Sequence, residues 1–342
     1  MKIKYKIISA LILLGVLFYI LMKLDLDRFY GYLAGINVWY VVMSFFAFAL
    51  YFLIWNYRWK LSLFKLCRTS SFRLLPILMA GVFVNHVTPG AGTGGEPVRV
   101  YYLAKFTKAN RTNLFALTML EKLFSTFVFG ALVFFSVFYV AFFVDIDIIL
   151  KSILLTIIVV AVIIFLFLIF FYRGGKFSFR KLFLFDRVLK LFYSSKIFTK
   201  FIRKYKTFDG FRNFINREID NSKLFLKDLM KNKNFVVYSL LLTFILWFFN
   251  YAAVYYSFSA LGFEIKIIEL IVVYSISVFV ADLSIFPGGI GLMEAVSIGL
   301  YNAFGIPLEI ATLATLLNRV VYYLLALGVG YLCLTYLHFR YD

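Results

Sequence analysis

Seven ionisable side chains interrupt stretches that are otherwise almost wholly apolar: Glu96, Arg99, Glu121, Lys122, Asp282, Glu294 and Arg319. A charged group at the centre of a bilayer costs roughly 2.5–3.5 kcal/mol on insertion scales, so residues of this kind mark ligand sites, pathways or internal ion pairs. Four acids stand against three bases, which leaves the set nearly neutral and able to pair internally. Glu121 and Lys122 are sequence neighbours and point to different sides of a helix, so each needs a partner on another element. The charges gather around two glycine-rich tips. One, Thr88-Pro-Gly-Ala-Gly-Thr-Gly-Gly95, contains Gly90, Gly92, Gly94 and Gly95; the other, Phe286-Pro-Gly-Gly-Ile-Gly291, contains Gly288, Gly289 and Gly291. Glu96-Pro97 reads as an N-cap followed by proline at the first helical position, with Arg99 in the first turn. Free N–H groups at a helix start, beside glycines that admit close approach, suit an anion. The chemistry indicated is phosphate recognition, with Arg99, Lys122 and Arg319 as the headgroup contacts. Glu96 and Glu294 are expected to face basic partners on the long helices, Lys122 and Arg319.

Other chemistries find less support. The glycines are not a nucleotide-binding loop, since no Lys-Ser/Thr follows Gly94-Gly95. Cys67, Cys333, His86 and His338 are the only cysteines and histidines, and their spacing resembles no zinc site. Neither a metal nor a cofactor is expected, and no residue is assigned a catalytic role. His86, just before the first tip, reads as a hydrogen-bonded structural histidine rather than a proton relay. Asp25-Leu-Asp27 could hold a metal for a phosphate donor, and it is a weak signal.

The elements that must position these residues are membrane helices. Of 342 residues, 63% are hydrophobic and only 15% charged, against about 25% charged in a soluble domain. That composition excludes a soluble globular enzyme, a disordered chain and a disulfide-rich secreted domain. The formal net charge of +19 points, in so apolar a chain, to cytoplasmic loops facing anionic lipid rather than to nucleic acid. Apolar runs occur at 7–22, 38–55, 74–88, 114–144, 148–172, 235–261, 267–286 and 307–337, with a shorter stretch at 290–304. Lys2, Lys4 and Lys6 before the first run imitate a signal peptide, but no small-x-small cleavage site follows, so an uncleaved first helix is expected.

Loop charges then set the topology. Residues 56–73 and 105–113 carry basic side chains and no acid, and 173–234 carry 17 basic and 5 acidic side chains. All three, with residues 1–6, are expected in the cytoplasm, together with both termini. Run 74–88 lies between two such segments, and its 15 residues make only ~22 Å of helix. A re-entrant hairpin over 74–104 resolves the conflict. Non-helical backbone at that depth is tolerated where it is buried in protein or lines a cavity. A second hairpin is expected over 267–304, entering from the opposite face.

The halves align. Pro89 precedes Glu96 by seven residues, as Pro287 precedes Glu294; Glu121 lies twenty-five after Glu96, as Arg319 does after Glu294. The reading is an all-α polytopic transmembrane bundle built as an inverted repeat, a transporter architecture with its site at the repeat interface. The first repeat spans 1–172 and the second 235–342. Between them, 173–234 forms a basic amphipathic cytoplasmic segment in which Leu182, Phe185, Val188, Leu189 and Phe192 recur at helical spacing, suited to anionic headgroups.

Two stretches, Asn85-His-Val-Thr-Pro-Gly-Ala-Gly-Thr-Gly-Gly-Glu-Pro-Val-Arg99 and Phe286-Pro-Gly-Gly-Ile-Gly-Leu-Met-Glu294, resemble the flippase-like family of integral membrane proteins. Leu120-Glu-Lys-Leu123 and Asn318-Arg319 add to the likeness. That family includes the transmembrane region of lysylphosphatidylglycerol synthetase. The resemblance implies lipid handling: movement of a modified phospholipid or a polyprenyl-phosphate-linked lipid between leaflets. The family often has Glu-Arg where this chain has Glu121-Lys122. No stretch here resembles the synthetase's soluble aminoacyl-transferase domain, so the resemblance implies neither that reaction nor a lysylated lipid.

Three functions follow as expectations. The first is a flippase or transporter of an anionic or phosphate-bearing lipid in the cell membrane. The second is a membrane-embedded transferase acting on a polyprenyl phosphate or phospholipid headgroup. The third is a non-catalytic partner of a separate lipid-modifying enzyme.

Overall fold

The structure, a computed structural model, describes residues 22–88, 94–144, 207–284 and 286–341, together with residues 152, 156 and 190. Among the described residues every element is a helix and there is no strand. The helices are α1 (Leu26–Ala34), α2 (Val38–Ser62), α3 (Ser71–Val87), α4 (Gly95–Thr107), α5 (Arg111–Phe143), α6 (Phe208–Met230), α7 (Lys233–Ser259), α8 (Ile267–Asp282), α9 (Leu292–Ala303), α10 (Leu308–Tyr323) and α11 (Gly330–Tyr341). A π turn at Leu324–Val329 joins α10 to α11. The expected runs 7–22 and 148–172, apart from residues 22, 152 and 156, lie outside the described residues, as do Gly90, Gly92, Leu182, Phe185, Val188, Leu189 and Phe192.

Four stretches are long and apolar enough to cross a bilayer: Val38–Lys65, Arg111–Phe143, Lys233–Ser259 and Leu308–Tyr341. Their burial pattern is that of a protein dissolved in lipid. On α2, Trp39, Phe46 and Leu53 point outward, whereas Ser44, Asn56 and Arg58 are buried. On α5, Phe127, Phe142 and Phe143 are exposed while Thr118, Glu121 and Ser136 are inside. Apolar side chains gain nothing by leaving hydrocarbon, so helices associate through polar contacts and close packing. Such contacts tie α2 to α7, where the Ser44 hydroxyl donates to the Ala253 carbonyl at 3.0 Å and lies 3.4 Å from the Ser257 hydroxyl.

Both hairpins form. The arms of the first are α3, with 17 residues, and α4, with 13. Those of the second are α8, with 16, and α9, with 12. At ~1.5 Å per residue none reaches the ~30 Å of a hydrocarbon core. The arms of the first touch through glycine: a Cβ on Gly95 would collide with the Gly81 carbonyl oxygen, and the Gly95 amide donates to Asn85 Oδ1 at 2.5 Å. The second tip uses conformational freedom instead, with Gly288, Gly289 and Gly291 at φ of +62°, +63° and +83°, a region L-residues rarely adopt.

Met1–Val144 and Lys233–Asp342 belong to one compact unit and Asp145–Asn232 to another. In the first, α2 packs along α7. Each hairpin's second arm lies on the long helix of its own half, α4 on α5 and α9 on α10. Each first arm crosses to the other half, α8 to α5 and α3 to α11. The second tip meets the first hairpin's leading arm there, since α3 packs on the Pro287–Gly289 turn. In the second unit, α6 starts with Thr207, whose hydroxyl accepts from the Gly210 amide at 3.2 Å.

Residues 23–37, between the first two apolar runs, contain α1. The Asp25 side chain accepts from the Arg28 amide at 3.2 Å and pairs with its guanidinium at 3.3 Å. The Asp25-Leu-Asp27 pair thus opens a helix.

Candidate functional site

All seven intramembrane charges fall in the first unit, on elements that converge. Three ion pairs organise six of them. Lys122 Nζ lies 3.2 Å from Glu96 Oε1, Arg319 Nε lies 2.7 Å from Glu294 Oε1, and Arg99 Nη2 lies 3.0 Å from Glu121 Oε2. The two glutamates after the tips therefore meet the bases expected for them. Glu121 and Lys122, adjacent on α5, reach different partners on α4, as two neighbours on a helix must.

The pairs differ in setting. Arg99 and Glu121 are 5% and 2% exposed. The Ser62 hydroxyl donates to Glu121 Oε1 at 2.9 Å, and the Arg99 guanidinium stacks 4.1 Å from the Trp59 ring centroid, within the range of a cation–π contact. Lys122 is 35% exposed and opens towards the cavity described below. Glu294 has a double task, pairing with Arg319 while Oε2 accepts from the Gly291 amide at 2.5 Å, at the start of α9. A carboxylate there meets the positive end of the helix dipole.

Glu96 was expected to be an N-cap. Instead α4 begins at Gly95 with Gly94 as cap, and Glu96 and Pro97 lie in the first turn. Gly94 sits so close to the Thr88 side chain that a Cβ would overlap it, and that contact sets the start of the helix.

A cavity of about 300 Å³ lies among these elements. Glu96, Arg99, Glu121, Lys122, Asp282 and Arg319 line it, as do Gly288 and Gly289, with Asn85 and His86 of the first hairpin and Met293 of the second. Glu294, Gly94, Gly95 and Gly291 stand behind this wall, supporting the lining residues. His86 packs on Tyr322 and Tyr323, with ring centroids at 5.3 and 6.1 Å, and its Nδ1 lies 2.8 Å from the Val82 carbonyl oxygen. It is a bonded structural histidine, touching the second tip at Gly288.

Several lining residues escaped the sequence reading. Arg58 belongs to segment 56–73, assigned whole to a basic loop. The helix α2 in fact continues to Ser62 and carries Arg58 inside, 2% exposed, where its Nη1 donates to Thr243 Oγ1 at 2.6 Å. Trp55, Arg58, Trp59 and Ser62 recur at one-turn spacing, a face that was legible had the helix been extended past Trp55. Asn250 and Tyr274 line the cavity from α7 and α8, where nothing in their sequence surroundings distinguishes them.

Among the described residues, Trp55 Nε1, Asn250 Oδ1, Glu96 Oε2, Asn318 Nδ2 and Arg319 Nη2 are buried with no hydrogen-bond partner. Buried polar atoms are normally paired. A wall with so many open donors and acceptors is suited to a polar, charged guest.

Comparison with known proteins gives the same class. Residues 6–330 match the family described as the lysylphosphatidylglycerol synthase TM region. A UPF0104 membrane protein of Methanocaldococcus jannaschii is 28% identical over 340 residues, covering 98% of this chain and 96% of the relative. Similar membrane proteins occur in Methanothermobacter thermautotrophicus, at 23% identity over 86% of this chain and 83% of the relative, and in Pyrococcus horikoshii, at 25% over 83% of each.

Proposed function

The chain belongs to the family of the lysylphosphatidylglycerol synthase transmembrane region, and from this we propose that it moves an anionic, phosphate-bearing membrane lipid between leaflets. The observation that carries the proposal is the charged cavity lined by residues of both short-helix pairs and of the long helices between which they pack. Moving a headgroup through hydrocarbon requires a polar surface at mid-depth, where an unaccompanied charge is costly. Here three bases already pair with three acids. A phosphate that displaces Glu96 from Lys122, or Glu294 from Arg319, takes over the base, and the released carboxylate, desolvated and without its partner, takes up a proton. Lys122, the most accessible of the paired bases, is the natural first contact.

The same proposal takes the halves as an inverted repeat. Its support is the packing, in which α3 on α11 and α8 on α5 are counterparts when the halves are exchanged, as are α4 on α5 and α9 on α10. Transporters of this design place their substrate at the repeat interface. The basic segment 173–234 would engage anionic lipid on the cytoplasmic side.

Purified protein in vesicles carrying a fluorescent phospholipid tests the proposal. Redistribution of the label between leaflets, with the lipid recovered chemically unchanged, is the expected result. A new lipid product would favour the transferase instead. Neither result, combined with tight binding to a separate lipid synthase, would favour the partner role.

A further inference from the structure

Among the described residues two charges that line the cavity, Arg58 and Asp282, stand outside the three ion pairs. Arg99, Lys122 and Arg319 each hold a carboxylate. Arg58 does not. It lines the same cavity, is 2% exposed, and forms no ion pair among the described residues. Its one hydrogen bond from the side chain is to the Thr243 hydroxyl, and its Nε has no partner. Of the acids lining the cavity, Glu121 is held by Arg99 and Ser62 and Glu96 by Lys122, and Asp282 forms no ion pair with Arg58.

A buried arginine with only a neutral partner is expensive in a low-dielectric interior. Snorkelling to the membrane surface is no explanation for a side chain so fully enclosed. Its surroundings suit an anion. Trp55, one turn earlier on α2, has an indole N–H with no acceptor, and Arg99 Nε is likewise open. The Arg99 guanidinium lies 5.8 Å from the Trp55 ring centroid, so these donors share one wall.

We propose that Arg58 is the anchoring residue of a phosphate subsite, with Trp55 and Arg99 beside it. This inference rests on the lipid reading above and names the residue that carries it. A phosphate group offers oxygens in several directions and full charge, which matches donors arriving from two helices. The paired bases hand the headgroup on; Arg58 attracts it, because no carboxylate must first be displaced. Either a lipid headgroup or free inorganic phosphate presents this chemistry.

The test is calorimetric titration of the whole protein in a nonionic detergent, with dihexanoyl phosphatidylglycerol in one arm and inorganic phosphate in the other. The variants are Arg58→Met and Arg58→Lys. Binding of the short-chain lipid should weaken at least tenfold in Arg58→Met and be largely retained in Arg58→Lys. Arg58→Met should also melt no lower than wild type, since it removes a costly charge. Lipid binding unchanged in Arg58→Met would overturn the subsite and leave the lipid reading standing. Phosphate binding that depends on Arg58, without lipid binding, would keep the anion subsite and overturn its assignment to a headgroup. Failure of the wild type to bind either ligand would overturn both. A variant Arg58→Met that misfolds or melts lower would show the arginine to be structural and would likewise overturn the assignment.

Discussion

At the scale of the residue, the Glu294–Arg319 pair is the clearest case of a charge whose partner decides its cost. Both side chains are about nine-tenths enclosed, and breaking such a pair by removing one member costs about 3–5 kcal/mol, because the other is left bare. Arg319→Gln alone should therefore lower the melting temperature in detergent markedly, and Glu294→Gln should do so too. The double variant Glu294→Gln/Arg319→Gln should recover most of the loss, a non-additive result that thermal unfolding of the four proteins would reveal. Lipid movement should stay lost in the double variant, which separates the functional role of Arg319 from its role in folding. Cys67 gives a second residue-level expectation. It lies between α2 and α3, outside the spans, and burial pushes its thiol above the ordinary range despite a contact with Thr107. A raised thiol has less thiolate at a given pH. Maleimide labelling of Cys67 near pH 8 should be slower than that of an exposed thiol, and its rate should keep rising at pH values where a free thiol has levelled off.

At the scale of the element, the hairpins were legible because length and loop charge disagreed: a 15-residue run could not carry two basic loops on opposite sides. The structure replies with α3 and α4 in contact at Gly81 and Gly95. The second hairpin was legible from its glycines, whose positive φ values the turn requires. What was not legible follows from the same physics. Arg58 looked like a loop residue because its charge suggested water, whereas its environment is a bonded pocket on a long helix. The helix α1 was hidden in a short mixed linker, where only the Asp25 cap signals it. The ion pair between Arg99 and Glu121 was not named in advance, since pairing across helices depends on packing that no spacing rule contains. The topology itself can be tested at this scale. With Cys67 and Cys333 replaced by serine, Lys65→Cys and Lys108→Cys should be labelled by an impermeant reagent from one and the same side. Labelling from opposite sides would make the 71–107 segment a crossing and remove the first hairpin.

At the scale of the molecule, polar interior, apolar exterior and crossed helix pairs join into one device. The outward faces of α2, α5 and α7 carry Phe46, Phe142 and Phe248 into lipid, while the inward faces surround the charged cavity. The central claim is that a lipid headgroup passes through that cavity. Blocking it without touching any charge is the most direct test, and Asn250, on the wall contributed by α7, offers the position. Asn250→Trp should fill part of the space of about 300 Å³ and cut leaflet redistribution of a fluorescent phospholipid in reconstituted vesicles at least tenfold, in a protein that is still folded. Redistribution at the wild-type rate with the cavity filled would contradict the account.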